Sequence, residues 1–196
     1  MAKISIVIII NLLIMGNINL TAQTVKVTEV PESIESFIDF RNKVAVTPEG
    51  GAAVFLLALK IYTENQTLGA QCLVAAADLN SLTGGDTYKG YSLSNWDMSL
   101  IKSQLLEKNK KTANSYIKGS SVENSYEVKL PYIYEFSSNA YSGDPASGSF
   151  KIFVKCSGAD SARPINLKQN NRGIWKASGW SSLLTGIKKP PIDDDL

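Results

Sequence analysis

The hydrophobic pattern of this chain changes period near residue 115, and that switch limits the fold more than any other feature. Up to that point apolar residues recur at helical spacing. Beyond it they alternate, with Phe150, Ile152, Val154 and Cys156 on one face of a segment and Lys151 and Lys155 on the other. A parallel sheet needs a helix between successive strands, whereas helices first and strands afterwards give a segregated arrangement. The pattern therefore predicts an α+β domain in which N-terminal helices pack on one face of a curved C-terminal antiparallel sheet, the other face being wetter.

Within the helical part, Pro31 opens a segment carrying Ile34, Phe37, Ile38 and Phe40 that ends near Asn42. Thr47 then caps a second helix, Pro48 takes its first position and Glu49 suits the positive end of its dipole. Residues 52–62 are apolar almost without interruption, as expected of a helix buried on all sides. A third helix over roughly residues 67–79 carries Leu68, Cys72, Leu73 and Ala76 on one stripe. Residues 80–94 read as a loop rich in Gly, Ser and Thr, and Ser94 with Asp97 starts a fourth helix ending near Lys108.

Strands are predicted at residues 116–118, 126–136, 150–156, 164–168 and 173–178. Pro131 marks the second of these as an edge strand or a bulge. Asn170-Asn171-Arg172-Gly173 reads as a hairpin turn.

At the N-terminus a single cation, Lys3, precedes an apolar run from Ile4 to Met15 that is too short to span a bilayer. Residues 1–22 are therefore expected to be a cleavable secretion signal, with Ala22 before the cut, and the product exported to the periplasm or secreted. Residues 23–30 follow as a lead-in, 31–187 as one α+β domain and 188–196 as an acidic, extended and mobile tail. No permanent membrane span is expected after cleavage. With 20 Lys and Arg against 18 Asp and Glu, and Lys3 lost with the leader, the balance is close to neutral, and a nucleic-acid partner is not expected. An oxidising compartment permits a disulfide between Cys72 and Cys156 without implying one, and two buried free thiols fit the sequence better.

The chain contains no histidine. Hydrolases that use an imidazole base and most zinc sites are thereby excluded, and no cofactor, metal or catalytic residue is assigned. Residues 84–91 gather Asp86, Tyr88, Lys89 and Tyr91 on permissive backbone, a composition suited to grasping a polar ligand or a protein partner. The same residues also serve an ordinary turn. Asp160 and Arg163 suggest either a turn held by an ion pair or a rim of the same site. Gly50-Gly51 sits at a helix start that can face an anion, but it lacks P-loop spacing, and close helix packing explains it better. Tyr116, Tyr126, Tyr132, Tyr134, Phe150, Trp175 and Trp180 line either a cavity or the core. Three functions remain open on these residues: non-catalytic binding of an envelope ligand or protein, a carboxylate- or Lys/Tyr-dependent enzyme using Asp86 and Lys89, and a structural envelope component.

From about Ser33 onward the chain resembles an uncharacterised family of bacterial, mostly exported proteins, a domain of unknown function. The resemblance rests on Thr47-Pro48-Glu49-Gly50-Gly51-Ala52, Tyr88-Lys89-Gly90-Tyr91, Ser115-Tyr116-Ile117-Lys118-Gly119, Cys156-Ser157-Gly158-Ala159-Asp160-Ser161, Arg163-Pro164-Ile165, Trp180-Ser181-Ser182-Leu183-Leu184 and the closing Asp193-Asp194-Asp195-Leu196. It implies no activity. The layout is also coarsely similar to the cone-shaped nuclear-transport-factor-two-like, polyketide-cyclase-like and cystatin folds, in the first two of which helices and sheet enclose a pocket.

Overall fold

A computed structural model describes residues 23–190. Among them lie four α-helices, a five-stranded antiparallel sheet and a separate two-stranded one, so the fold class is α+β as expected. In chain order the elements are β1 (Gln23–Val27), α1 (Ile34–Val44), α2 (Pro48–Glu64), α3 (Gln66–Ala76), β2 (Leu82–Tyr88), β3 (Tyr91–Leu93), α4 (Asn95–Lys102), β4 (Tyr132–Ser137), β5 (Ser149–Val154), β6 (Arg163–Gln169) and β7 (Trp175–Gly179). The main sheet runs β1-β4-β5-β6-β7, a meander with β1 added outside β4.

The helix starts follow from capping chemistry. Thr47 accepts from the Gly50 amide and Pro48 opens α2, while Ser94 accepts from the Asp97 amide at the head of α4. In α1 the cap is Ser33, which forms a reciprocal box with Ser36, so the helix starts at Ile34 and Pro31 lies ahead of it. The fourth helix does run to Lys108, its last turns over Ser103–Lys108 widening to π geometry. From Pro48 to Tyr62 every residue of α2 except Glu49 is buried, and the helix touches β1, β5, β6 and β7. Even Lys60 is only 6 % exposed, its ammonium reaching Glu64 at 2.6 Å. Burying each large side chain of this helix contributes on the order of 1.5–3 kcal/mol.

The sheet presents alternate residues to the helices: Tyr132, Tyr134 and Phe136 from β4, Phe150, Ile152 and Val154 from β5, Ile165 and Leu167 from β6, Trp175 and Ala177 from β7. The aromatics expected either to line a cavity or to pack the core are all buried, and Trp180 lies 4.8 Å from Phe55 between ring centroids. Side chains of α2 thus fill the interior under the sheet. Small residues let α2 sit deep. A Cβ on Gly50 would fall 1.7 Å from the Val44 carbonyl oxygen, and one on Gly51 2.7 Å from Trp175. Close packing is what the Gly-Gly pair serves.

Several expectations need correction. The lead-in contains β1, paired from Gln23↔Phe136 to Val27↔Tyr132. Residues 116–118 are not a strand: a 3-10 turn, Ala113–Tyr116, precedes a single bridge from Ile117 to Tyr134. The strand expected at 126–136 begins only at Tyr132. Pro131 therefore stands just before an interior strand and marks neither an edge nor a bulge. The third helix ends at Ala76, where its next residue, Ala77, turns to bridge Ala177 of β7. The loop over residues 80–94 is a short 3-10 turn followed by the β2–β3 hairpin.

Cys72 and Cys156 are free and buried, so the disulfide is not formed. Burial pushes the Cys72 thiol up to about 12, while the Cys156 sulfur lies 3.3 Å from the Ser115 hydroxyl. The start of the expected tail is tied down, since the Lys188 amide donates to the Gly158 carbonyl and its own carbonyl accepts from the Tyr126 hydroxyl at 2.7 Å. The expected signal, residues 1–22, and residues 191–196 of the tail lie outside the described residues. Among the described residues no helix is long and apolar enough to cross a membrane.

Candidate functional site

Tyr88 and Tyr91 face each other across a two-residue turn in which Lys89 and Gly90 both take positive φ, 50° and 82°. This is the backbone that a tight hairpin requires, and glycine meets it without strain. Asp86 is exposed in an irregularity of the ladder between Gly84 and Tyr88. The Lys89 ammonium sits 5.4 Å from the centroid of the Tyr88 ring, within cation–π range. Tyr91 is exposed.

The other two predicted residues do not join this group. Arg163 is buried, and its guanidinium donates to the Thr185 carbonyl at 2.7 Å, the Gly186 carbonyl at 2.6 Å and the Tyr116 hydroxyl at 3.1 Å. Asp160 is exposed and pairs with Lys188 instead. The expected Asp160–Arg163 ion pair is not formed, and Arg163 braces the segment after β7.

What sequence reasoning missed is a cleft of about 360 Å³ lined by Arg41, Asn42, Asn170, Asn171, Arg172, Ile174 and Lys176. Its cations come from three places: Arg41 from the last turn of α1, Arg172 from the β6–β7 turn and Lys176 from β7. The turn is shaped by Asn170, whose side-chain oxygen accepts from the Arg172 and Ile174 amides, both at 2.9 Å. Arg41 and Lys176 converge on one acceptor, the Ala75 carbonyl at the C-terminal end of α3, at 3.1 and 2.6 Å. That helix has no basic residue in its own last turn, so cations from outside neutralise its negative end.

One carbonyl uses only one N–H from each cation. Arg41 spends its Nε and Nη2 on the Asn42 side-chain oxygen, which leaves the Asn42 amide nitrogen unused. None of the ion pairs among the described residues involves Arg41, Arg172 or Lys176, and no carboxylate lines the cleft. The site is thus an excess of hydrogen-bond donors and positive charge. Among the described residues no group of three or more His, Cys, Asp or Glu side chains is placed to hold a metal ion.

This crowding shows in the acidities. Burial, and then the Arg41 charge, lower Lys176 to about 8, with Asp78 opposing them. Burial also lowers Arg41; the Tyr88 phenol opposes the change and the Arg172 charge adds to it. Lys176 is ordinary in the unfolded chain, near 10.5, so between about pH 8 and 10.5 the unfolded state binds more protons than the folded one. Below about pH 8 the folded protein bears the full cost of a crowded ammonium; that cost is relieved as pH rises through the window. Relative to Lys176→Met, the wild type should therefore gain on the order of 1–2 kcal/mol between pH 7 and 10 after allowance for solvent screening. Urea unfolding of both proteins across that range measures it; parallel pH curves would remove Lys176 as the cause.

The molecule is thus an α+β domain with a packed interior and a cationic surface cleft. The chain belongs to the family described as a domain of unknown function, DUF6935, whose model matches residues 29–191. No curated protein and no solved structure matches it.

Proposed function

We propose that this protein is an exported module of the bacterial cell envelope that holds an anionic ligand in the cleft of Arg41, Arg172 and Lys176 without transforming it. The observation that carries the reading is the carboxylate-free lining: three cations and three side-chain amides line one cleft. An acceptor-rich anion satisfies the unspent donors and relieves the mutual repulsion of the cations. The same lining favours binding over turnover, because the cleft offers neither a carboxylate nor an imidazole and its Lys176 ammonium is engaged by the Ala75 carbonyl. Export rests on the apolar leader before Gln23.

Titration calorimetry with citrate, a small polycarboxylate, tests the cleft. The wild type should bind it, and Arg172→Glu, at a residue that braces no other element, should weaken binding at least about tenfold, roughly 1.4 kcal/mol, at unchanged melting temperature. Equal binding by both proteins, or by neither, would refute the reading. Intact Met1 on protein recovered from its native host would refute export.

A further inference from the structure

The cleft is built in two tiers. Arg41 and Lys176 are half-buried on its floor, and Arg172, Asn42 and Asn171 are exposed around its mouth. The floor cations are fixed before any ligand arrives. The Ala75 carbonyl holds Arg41 Nη1 at 3.1 Å and Lys176 Nζ at 2.6 Å, and the Asn42 side-chain oxygen holds Arg41 Nε and Nη2 at 3.1 and 2.8 Å. Each of Arg41 Nη1, Arg41 Nη2 and Lys176 Nζ keeps at least one N–H unspent. Arg172 is the movable member, since among the described residues no hydrogen bond or ion pair uses its guanidinium. Acceptors are scarce by comparison. The side-chain oxygens of Asn42 and Asn170 are taken, which leaves that of Asn171 as the free side-chain acceptor in a lining otherwise of donors.

Resting on the anion-binding reading above, we infer that the ligand is a small phosphorylated polyol or sugar, a phosphomonoester whose phosphate sits among Arg41, Arg172 and Lys176 and whose hydroxyls meet the amides of Asn42, Asn170 and Asn171. Shape, charge and size select this chemistry. The cations come from three separate places, the end of α1, the β6–β7 turn and β7. A tetrahedral group with three terminal oxygens serves all of them at once, whereas one planar guanidinium already satisfies both oxygens of a carboxylate. A phosphomonoester also brings close to two negative charges at neutral pH, and a diester only one, so the monoester does more to relieve the crowding that lowers Lys176 and Arg41. At about 360 Å³ the cleft is at the small end of ligand sites, yet it exceeds what a bare phosphate fills. The remaining space is polar. Ile174, 9 % exposed, is the only apolar side chain in the lining, which leaves no seat for a lipid chain. Hydroxyl oxygens accept from the three amides, and a hydroxyl proton finds the Asn171 oxygen.

Titration calorimetry of the full chain and of its Arg172→Glu and Lys176→Met variants tests this, with glycerol phosphate, inorganic phosphate, dimethyl phosphate and citrate as probes. At neutral pH glycerol phosphate should bind at least about tenfold more tightly than dimethyl phosphate, a diester with a single charge, and at least about threefold more tightly than inorganic phosphate, which lacks the hydroxyls. Its affinity should fall as pH drops below about 6, where the phosphate takes up a proton. Arg172→Glu should weaken it at least about tenfold at unchanged melting temperature, and Lys176→Met should shrink the margin over dimethyl phosphate. Citrate bound without glycerol phosphate, dimethyl phosphate bound as tightly as the monoester, or an unchanged glycerol phosphate affinity in Arg172→Glu would overturn the phosphomonoester and leave the anion cleft to be judged by citrate. Inorganic phosphate bound as tightly as glycerol phosphate would overturn the polyol. Absence of binding by citrate and by every phosphate would overturn the anion cleft as well.

Discussion

Gly50→Ala is expected to cost about 3 kcal/mol or more, enough to unfold a domain of ordinary stability. The added methyl has nowhere to go, because its carbon would sit 1.7 Å from the Val44 carbonyl oxygen and 2.6 Å from that carbonyl carbon. Both are backbone atoms at the end of α1, so relief requires α1 and the first turn of α2 to move apart. That movement would also strain the neighbouring contact of Gly51 with Trp175, and with it the seat of α2 on β7. An exposed helical glycine would be stabilised by the same change, since alanine has the better helix propensity. Chemical denaturation of the variant decides between these signs, and a midpoint at or above that of the wild type would show that the two helices part easily.

Arg163→Leu is the second large loss, about 2–3 kcal/mol. The guanidinium has no carboxylate partner; its charge is met by the carbonyls of Thr185 and Gly186 and by the Tyr116 hydroxyl, which itself donates to the Leu183 carbonyl at 2.6 Å. Burial raises the Tyr116 hydroxyl well above the usual phenol range, so it remains a neutral donor throughout. Leucine fills part of the volume but leaves the carbonyls to water and the phenol without its donor. Hydrogen exchange should report the change locally, with amides of residues 183–188 losing protection before those of the sheet. Uniform loss across the whole domain would contradict a local brace.

How much of this was legible in the sequence depends on how local each cause is. Thr47-Pro48 announces a helix start by its own chemistry, and Asn170 to Gly173 announces a turn in the same way; both stand where the pattern put them. The β1 strand escaped because only Val27 of its five residues is buried, so it carries almost no hydrophobic signal and is held by its ladder to β4. The β2–β3 hairpin escaped because Gly84 and Gly85 lower strand propensity, although Lys89-Gly90 between two tyrosines was a turn signal in plain view. Residues 116–118 alternate like a strand, yet Tyr116 is held by Leu183 and Arg163, partners far along the chain. The hairpin residues Asp86, Tyr88, Lys89 and Tyr91 do share one structural unit. The turn that carries Arg172 was legible but the cleft was not: Arg41 and Lys176 meet because α3 ends against β7, and no spacing rule relates position 41 to position 176.

The pairing of Gln23 with Phe136 also governs the order in which the molecule can be finished. The opening strand has β4 as its sole neighbour in the sheet, so its peptide groups must wait through four helices and a hairpin before that neighbour exists. Synthesised from this end, the chain cannot complete its sheet until β4 has been made, so the outermost ladder is among the last to close.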